Sequence, residues 1–325
     1  MNEPIGFWIG FIAFVIVMLL LDLFVFHKKN EVVKVKSALI WSAFWIGLAM
    51  LFNIGVYCFL GHQKALDFFT GYLIEESLSV DNLFVFIMIF ASFNIEPKYQ
   101  HRILFWGIIG AIVMRGVFIF AGIALIERFD WIMYVFGIFL VYTGIKMFFE
   151  KEDKGEPIDL ENNKMIKFVK YFFPITIDNK ETQFFKRIHG KLFATQFLLT
   201  LLMIEGSDLI FAVDSIPAVM SVSTDPFIVY TSNIFAILGL RSLYFALSGI
   251  MDYFRYLKFG LAFILSFIGL KMCINALCSE MDWHFHISNF ASLGVIVCIL
   301  TISIVASIIK SRREKSSNER FHKEF

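Results

Sequence analysis

Six acidic residues stand out in an otherwise apolar chain: Glu75, Glu76 and Asp81 in one hydrophobic segment, and Glu205, Asp208 and Asp214 in another. Both segments are long and apolar enough to cross a bilayer, where one such charge costs about 2.5–3.5 kcal/mol at a helix centre on insertion scales. So many acids in two short stretches call for a compensating partner, most simply a cation or a proton. Asn82 and Ser215 directly follow the last acid of each stretch. Carboxylate, amide and hydroxyl oxygens suit hard divalent ions such as Mn²⁺, Ca²⁺ and Mg²⁺ better than the soft ions that choose thiolates. The spacing does not separate manganese from calcium.

On a straight helix, 100° per residue brings Glu75, Ser79 and Asn82 onto one face and Ser77 with Asp81 onto another. Glu205 and Asp208 share a face with Ser215 below them, whereas Asp214 points about 120° away from Asp208. One straight helix therefore does not aim the whole set at one point. Pro217 offers an escape: it has no N–H for the carbonyl of Val213, and its ring pushes that turn open. A break there, with a freed carbonyl beside Asp214 as a further cation ligand, is the expectation for a broken transport helix. The competing reading is that the carboxylates pair with Arg115 and Arg241 as buried ion pairs that only hold helices together. Those arginines then either pair structurally or control the charge of an emptied site. Lys146 and Lys271, a matching pair near span ends, either snorkel to the interface or serve the same charge-pairing role.

The elements that must position these residues are membrane helices. Apolar residues make up 58% of the 325 positions, with 41 Phe and only 6 Pro, a composition foreign to a water-soluble domain. Nine stretches of about 20 residues are nearly free of charge: roughly 5–26, 38–60, 66–93, 103–126, 131–149, 192–219, 226–251, 257–277 and 288–309. Lipid offers the backbone no hydrogen-bond partner, and nothing alternates like barrel strands, so all nine are read as helices. With the N-terminus outside, the inner loops and tail hold 23 of the 29 Lys and Arg, and the outer loops hold only Lys64 and Arg128. That bias puts the C-terminus in the cytoplasm. The four cysteines form no CxxC pattern, so neither a thiol metal site nor a disulfide framework is indicated.

Three features recur in order along the chain. Val80-Asp81-Asn82 is echoed by Val213-Asp214-Ser215, each with a carboxylate six residues earlier. Met114-Arg115-Gly116 is echoed by Leu240-Arg241-Ser242, and Gly144-Ile145-Lys146-Met147 by Gly269-Leu270-Lys271-Met272. The repeat units, about 66–149 and 192–277, each hold three spans. An odd number forces the copies to face opposite ways, the plan of many secondary transporters whose sites lie near the midplane between the copies. The chain thus reads as one integral membrane domain over 1–325: all-α, polytopic, with about nine transmembrane helices. A mixed-charge cytoplasmic loop spans 150–191, in which 164–173 reads as a short helix on the inner leaflet. A charged cytoplasmic tail covers 311–325 and reads as a disordered end.

Glu75-Glu76-Ser77-Leu78-Ser79-Val80-Asp81-Asn82 resembles the first signature of the TerC family of integral membrane proteins, and Glu205-Gly206-Ser207-Asp208-Leu209-Ile210-Phe211-Ala212-Val213-Asp214-Ser215-Ile216-Pro217-Ala218 the second. The stretch from Asp225 to Phe245 is similar to the part of the family pattern just after that signature, and Asp22 with His27 and Phe172-Phe173-Pro174 also fit. Gln196 departs from the family, in which proline is usual, so the start of the sixth span is open. The resemblance implies a metal-binding set of Glu75, Glu76, Asp81, Asn82, Glu205, Asp208 and Asp214. It also implies a link to manganese export through Alx-type members, within a wider superfamily of cation and amino-acid exporters. Tellurite protection, which gave the family its name, is then an indirect consequence of ion homeostasis.

The expectation is a secondary-type exporter of a divalent cation, Mn²⁺ favoured and Ca²⁺ next, in a bacterial cytoplasmic membrane. Its partners are the bilayer, the ion, and membrane or secreted proteins; no organic cofactor and no nucleic acid are expected. No GxxxxGK[ST] occurs, so energy would come from an ion gradient or the membrane potential. Burial disfavours a charged carboxylate, which makes proton exchange the natural coupling. Two other classes stand beside this one. A metal-binding scaffold that delivers ions without moving them would bind the ion yet show no flux. An intramembrane hydrolase with paired aspartates rests only on the number of acids, so the chain is read as no enzyme.

Overall fold

The computed structural model describes residues 4–26, 35–129, 131–149, 174–176, 183–188, 191–248, 257–281 and 287–324. Nine helices lie among them: α1 (Ile5–Phe26), α2 (Val35–Leu60), α3 (His62–Ser92), α4 (Pro97–Arg128), α5 (Ile132–Phe149), α6 (Gln196–Met220), α7 (Pro226–Leu247), α8 (Leu257–Glu280) and α9 (Asn289–Glu324). Seven of these, α2 and α4 through α9, carry windows apolar enough to cross a membrane. The acids of α3 keep it out of that set, and α1 offers a shorter apolar stretch, Ile5–Leu21. The fold is that of an all-α polytopic membrane protein.

Helix boundaries follow local chemistry. Gly61, at φ +95°, makes the link between α2 and α3 that an L side chain rarely adopts. Asn94, at φ 46°, closes α3 in the left-handed region where asparagine is tolerated. Proline opens α4 and α7 at the first turn, where its missing N–H is not needed. The side chain of Asp225 caps α7 by accepting from the amides of Phe227 (3.0 Å) and Ile228 (3.4 Å).

The packing has an exchange symmetry. The helix α3 lies on α7, α4 lies on α6, and α5 lies on α8. Swapping α3–α5 for α6–α8 turns the first pairing into the second and maps the third onto itself. Glycine permits the self-mapped contact. A Cβ on Gly144 would sit 2.6 Å from the Ala262 carbonyl, and one on Gly269 would sit 2.8 Å from the Val141 amide. Gly137 faces Gly269 and Cys273 at the other end of the same antiparallel contact. Outside this pair of units, α2 packs on α3 and α7, and α9 packs on α8 and α3.

Three expectations need correction. The tail 311–325, expected to be disordered, instead continues α9 as helix to Glu324. The helix α6 runs through Pro217 to Met220, so no helix break appears there. The stretch before α6 carries a small sheet that a charge-based reading of 150–191 does not anticipate: β1 (Ile175–Thr176), β2 (Phe185–Ile188) and β3 (Lys191–Thr195), in the order β1-β3-β2. Strand β3 pairs antiparallel with β2 and parallel with β1. Gln196 starts α6 directly after β3, and its side-chain amide donates to the backbone carbonyl of Phe93 at the end of α3. The departure from proline therefore ties two membrane helices together. The expected surface helix at 164–173 lies outside the described residues.

Candidate functional site: a buried guanidinium between two carboxylates

The polar centre of the protein is Arg115, 1% exposed, on α4. Its Nη1 donates to the Glu75 carboxylate of α3. Its Nε and Nη2 make a bidentate pair with Asp208 of α6, at 3.2 and 3.0 Å. Fork-to-fork pairing of this kind is the strong form of charge-assisted hydrogen bond. The same Nη1 also reaches Asn233 Oδ1 of α7 (3.1 Å) and Ser215 Oγ of α6 (3.5 Å). Asn233 Nδ2 donates to the second Glu75 oxygen at 2.8 Å, and Asn82 Nδ2 lies 3.4 Å from Asp208 Oδ1. Glu75, Asp208, Asn82, Ser215 and Asn233 are all buried. One acid thus comes from each repeat unit, and one guanidinium holds both.

Around this centre are oxygens left unmatched. Among the described residues, Glu76 Oε2, Ser79 Oγ, Asn82 Oδ1 and Glu205 Oε2 are buried without a hydrogen-bond partner. Native interiors hold only a few such atoms, and each asks for an explanation. Glu205 lies so close to α4 that a Cβ on Gly110 would overlap its carboxylate. With Asp208 and Arg241 it lines a small cavity walled by Phe86, Leu104 and Leu240. Glu76 points elsewhere, toward α2 and α7, with Oε1 3.9 Å from the Cβ position of Gly239.

The predicted set therefore divides. Glu75, Asn82, Asp208 and Ser215 share the Arg115 centre. Glu205 and Arg241 adjoin it through the cavity, and Glu76 occupies a neighbouring interface. Asp214 turns toward α5, where it accepts from Thr143 Oγ1 at 3.3 Å with the Lys146 charge nearby. This is the divergence that the helical phase required. Asp81 lies within α3, and its side chain is outside the described residues. Lys146 is exposed, as snorkelling expects, but Lys271 is 2% exposed and bonded to Asn289 of α9 (2.8 Å). Among the described residues no three carboxylate, imidazole or thiol side chains gather as metal ligands. The reason is local: a guanidinium stands between the two nearest acids.

The TerC family of integral membrane proteins matches residues 60–315. The chain belongs to the TerC family. It is 50% identical over 313 residues to the uncharacterized membrane protein STKORF319 of Myxococcus xanthus, covering 96% of this chain and 95% of that one. It is 45% identical over 318 residues to a Salmonella typhi protein named "Putative membrane-bound redox modulator Alx", with 95% and 96% covered. The Escherichia coli K12 protein of the same name is 43% identical over 320 residues, again with 95% and 96% covered. No solved structure matches the chain.

Asn233 is a member of the TerC centre that the motif spacing does not single out. In the sequence it stands only inside the longer family stretch, although an amide in a membrane helix is itself costly and marks an interhelical bond. Its partner Glu75 is 158 positions away, so no spacing within α7 reveals the contact.

Proposed function

We propose that this TerC protein is a secondary-type transporter that exports a divalent metal cation, Mn²⁺ before Ca²⁺, across a bacterial cytoplasmic membrane. The observation that carries the reading is Arg115 held by one carboxylate from each three-helix unit, Glu75 and Asp208. A guanidinium there acts as an internal cation. It offsets one of their two negative charges while no ion is bound and is displaced when a dication takes the same oxygens. The unmatched oxygens are of the hard type that Mn²⁺ and Ca²⁺ accept.

Proton exchange is the proposed coupling, and a flux indifferent to an imposed pH gradient at fixed potential refutes it. The redox name carried by the Alx relatives fits as an effect of manganese level on redox balance. The chain's own four cysteines are free thiols spread over α2, α8 and α9.

The test is Mn²⁺ flux in proteoliposomes containing only this protein, beside an Asp208→Asn variant. Saturable flux that the variant loses supports transport. Tight Mn²⁺ binding without flux in the wild type supports the scaffold reading instead.

A further inference from the structure

A second, partly buried polar network lies two helical turns from the Arg115 centre, and the charge-pairing above does not use it. Lys271 Nζ of α8 donates to Asn289 Oδ1 of α9 at 2.8 Å. Asn289 Nδ2 in turn donates to Asp67 Oδ1 of α3 (2.8 Å) and to the Val222 carbonyl in the α6–α7 connection (2.7 Å). Gln63 donates to the same Asp67 oxygen at 2.9 Å. Beside it, Lys64 of α3 pairs with Asp225, the cap of α7, at 2.7 Å. Asn275 of α8 makes a two-way bond with the backbone of Ile287, just before α9. Each charged contact joins one three-helix unit to the other, either directly (Lys64–Asp225) or through the single amide of Asn289 (Asp67–Lys271).

The position gives the network its meaning. On α3, Asp67, Gly71 and Glu75 are one turn apart, so Asp67 stands roughly 12 Å along the axis from the Arg115 centre. Between them is a seal of small side chains. A Cβ on Gly71 would sit 3.0 Å from both Ser232 Oγ of α7 and Val219 of α6, and Ser232 is 0% exposed. From one end of the protein inward the tiers are therefore a charged network, a close-packed seal and the paired carboxylates. The basic-residue bias assigns that end to the outside.

We infer that the Asp67–Asn289–Lys271 network, with Lys64–Asp225 beside it, is the latch that closes the outer end of the path between the two units. The latch rests on the transport reading, because a closure implies something to let past. It explains why Lys271 is buried rather than snorkelled: its ammonium is the far half of a contact that crosses between units. Opening exchanges these bonds for water at the membrane surface, where both charges are readily solvated. The seal at Gly71 then has only van der Waals contacts to break.

The test reads accessibility rather than flux, so that it stands or fails separately from transport. A Ser232→Cys protein, with Cys58, Cys273, Cys278 and Cys298 replaced by serine, is reconstituted and treated with a membrane-impermeant thiol reagent from each side. With the latch intact, labelling is slow from both sides. Asn289→Leu, which removes the bridging amide at similar volume, raises the labelling rate at least tenfold from the side bearing Asp67 and not from the other. Lys64→Met, a change at a partly exposed pair, gives a smaller rise in the same direction and covers the case in which the first variant fails to fold. An unchanged rate in a folded variant, or an equal rise from both sides, overturns the latch. One-sided opening in a protein without Mn²⁺ flux would keep the latch and discard the transported ion.

Discussion

Replacing Arg115 with methionine separates a guanidinium that merely staples helices from one that holds the place of a substrate ion. The arginine is fully buried and serves Glu75, Asp208, Asn233 and Ser215 at once. Removing one partner of a buried pair leaves an uncompensated charge and costs about 3–5 kcal/mol. Here two carboxylates lose their counter-ion, so the ion-free variant is expected at or above the upper end of that range. The same energy no longer has to be overcome when Mn²⁺ enters. At about 1.4 kcal/mol per decade, affinity for Mn²⁺ should rise by about three to four orders of magnitude. Mn²⁺ at about 100 times its dissociation constant should then return about 2.7 kcal/mol of stability. Export should nonetheless be lost, since nothing neutralises the empty site on the return step. The assays are free-Mn²⁺ measurement by electron paramagnetic resonance, thermal unfolding in nanodiscs with and without Mn²⁺, and flux in liposomes. A variant that binds Mn²⁺ more weakly than wild type, or whose lost stability Mn²⁺ does not restore, refutes the idea that arginine and ion compete for the same oxygens.

Asn233→Ala removes the donor to the second Glu75 oxygen and should cost about 1–3 kcal/mol, the penalty for a buried acceptor left unmatched, read as a lowered unfolding temperature. Asp214→Asn should leave Mn²⁺ affinity at the Arg115 centre within a few-fold of wild type, because Asp214 faces Thr143 on α5; loss of binding in that variant would place Asp214 back in the ligand set. Gly144→Val drives a branched side chain into the Ala262 carbonyl and the Ser266 amide. It should destabilise by about 1–3 kcal/mol or more through overpacking, and wild-type stability would show that α5 and α8 do not pack this closely.

Much of this architecture is legible in the letters because its causes are local. An apolar run of about 20 residues becomes a helix whichever neighbour it meets, and each of the nine expected stretches forms one, although 192–195 of the sixth belong to β3. The acids of α3 and α6 are visible because charge is conspicuous against such a background. Strand β2 is hidden for the opposite reason. Its surroundings are dominated by charge, and its four residues, Phe185–Ile188, are too few for an alternation to stand out.

Sequence by itself determined the class of molecule, its helices, the two acidic stretches and the ordered recurrence of acid, arginine and lysine. It also determined the divergence of Asp214 from Asp208, because helical phase is set by residue number alone. Tertiary structure decided which faces meet. It brought Asp208 to Arg115 across 93 positions and Asn233 to Glu75 across 158. It sent Glu76 toward α7 and enclosed Lys271 under α9, where composition had favoured the membrane surface. The physical reason is one of range. Hydrophobic periodicity specifies how a helix is oriented to lipid, whereas a buried charge is stabilised only by a particular partner a few ångströms away, and that partner is set by how distant helices pack.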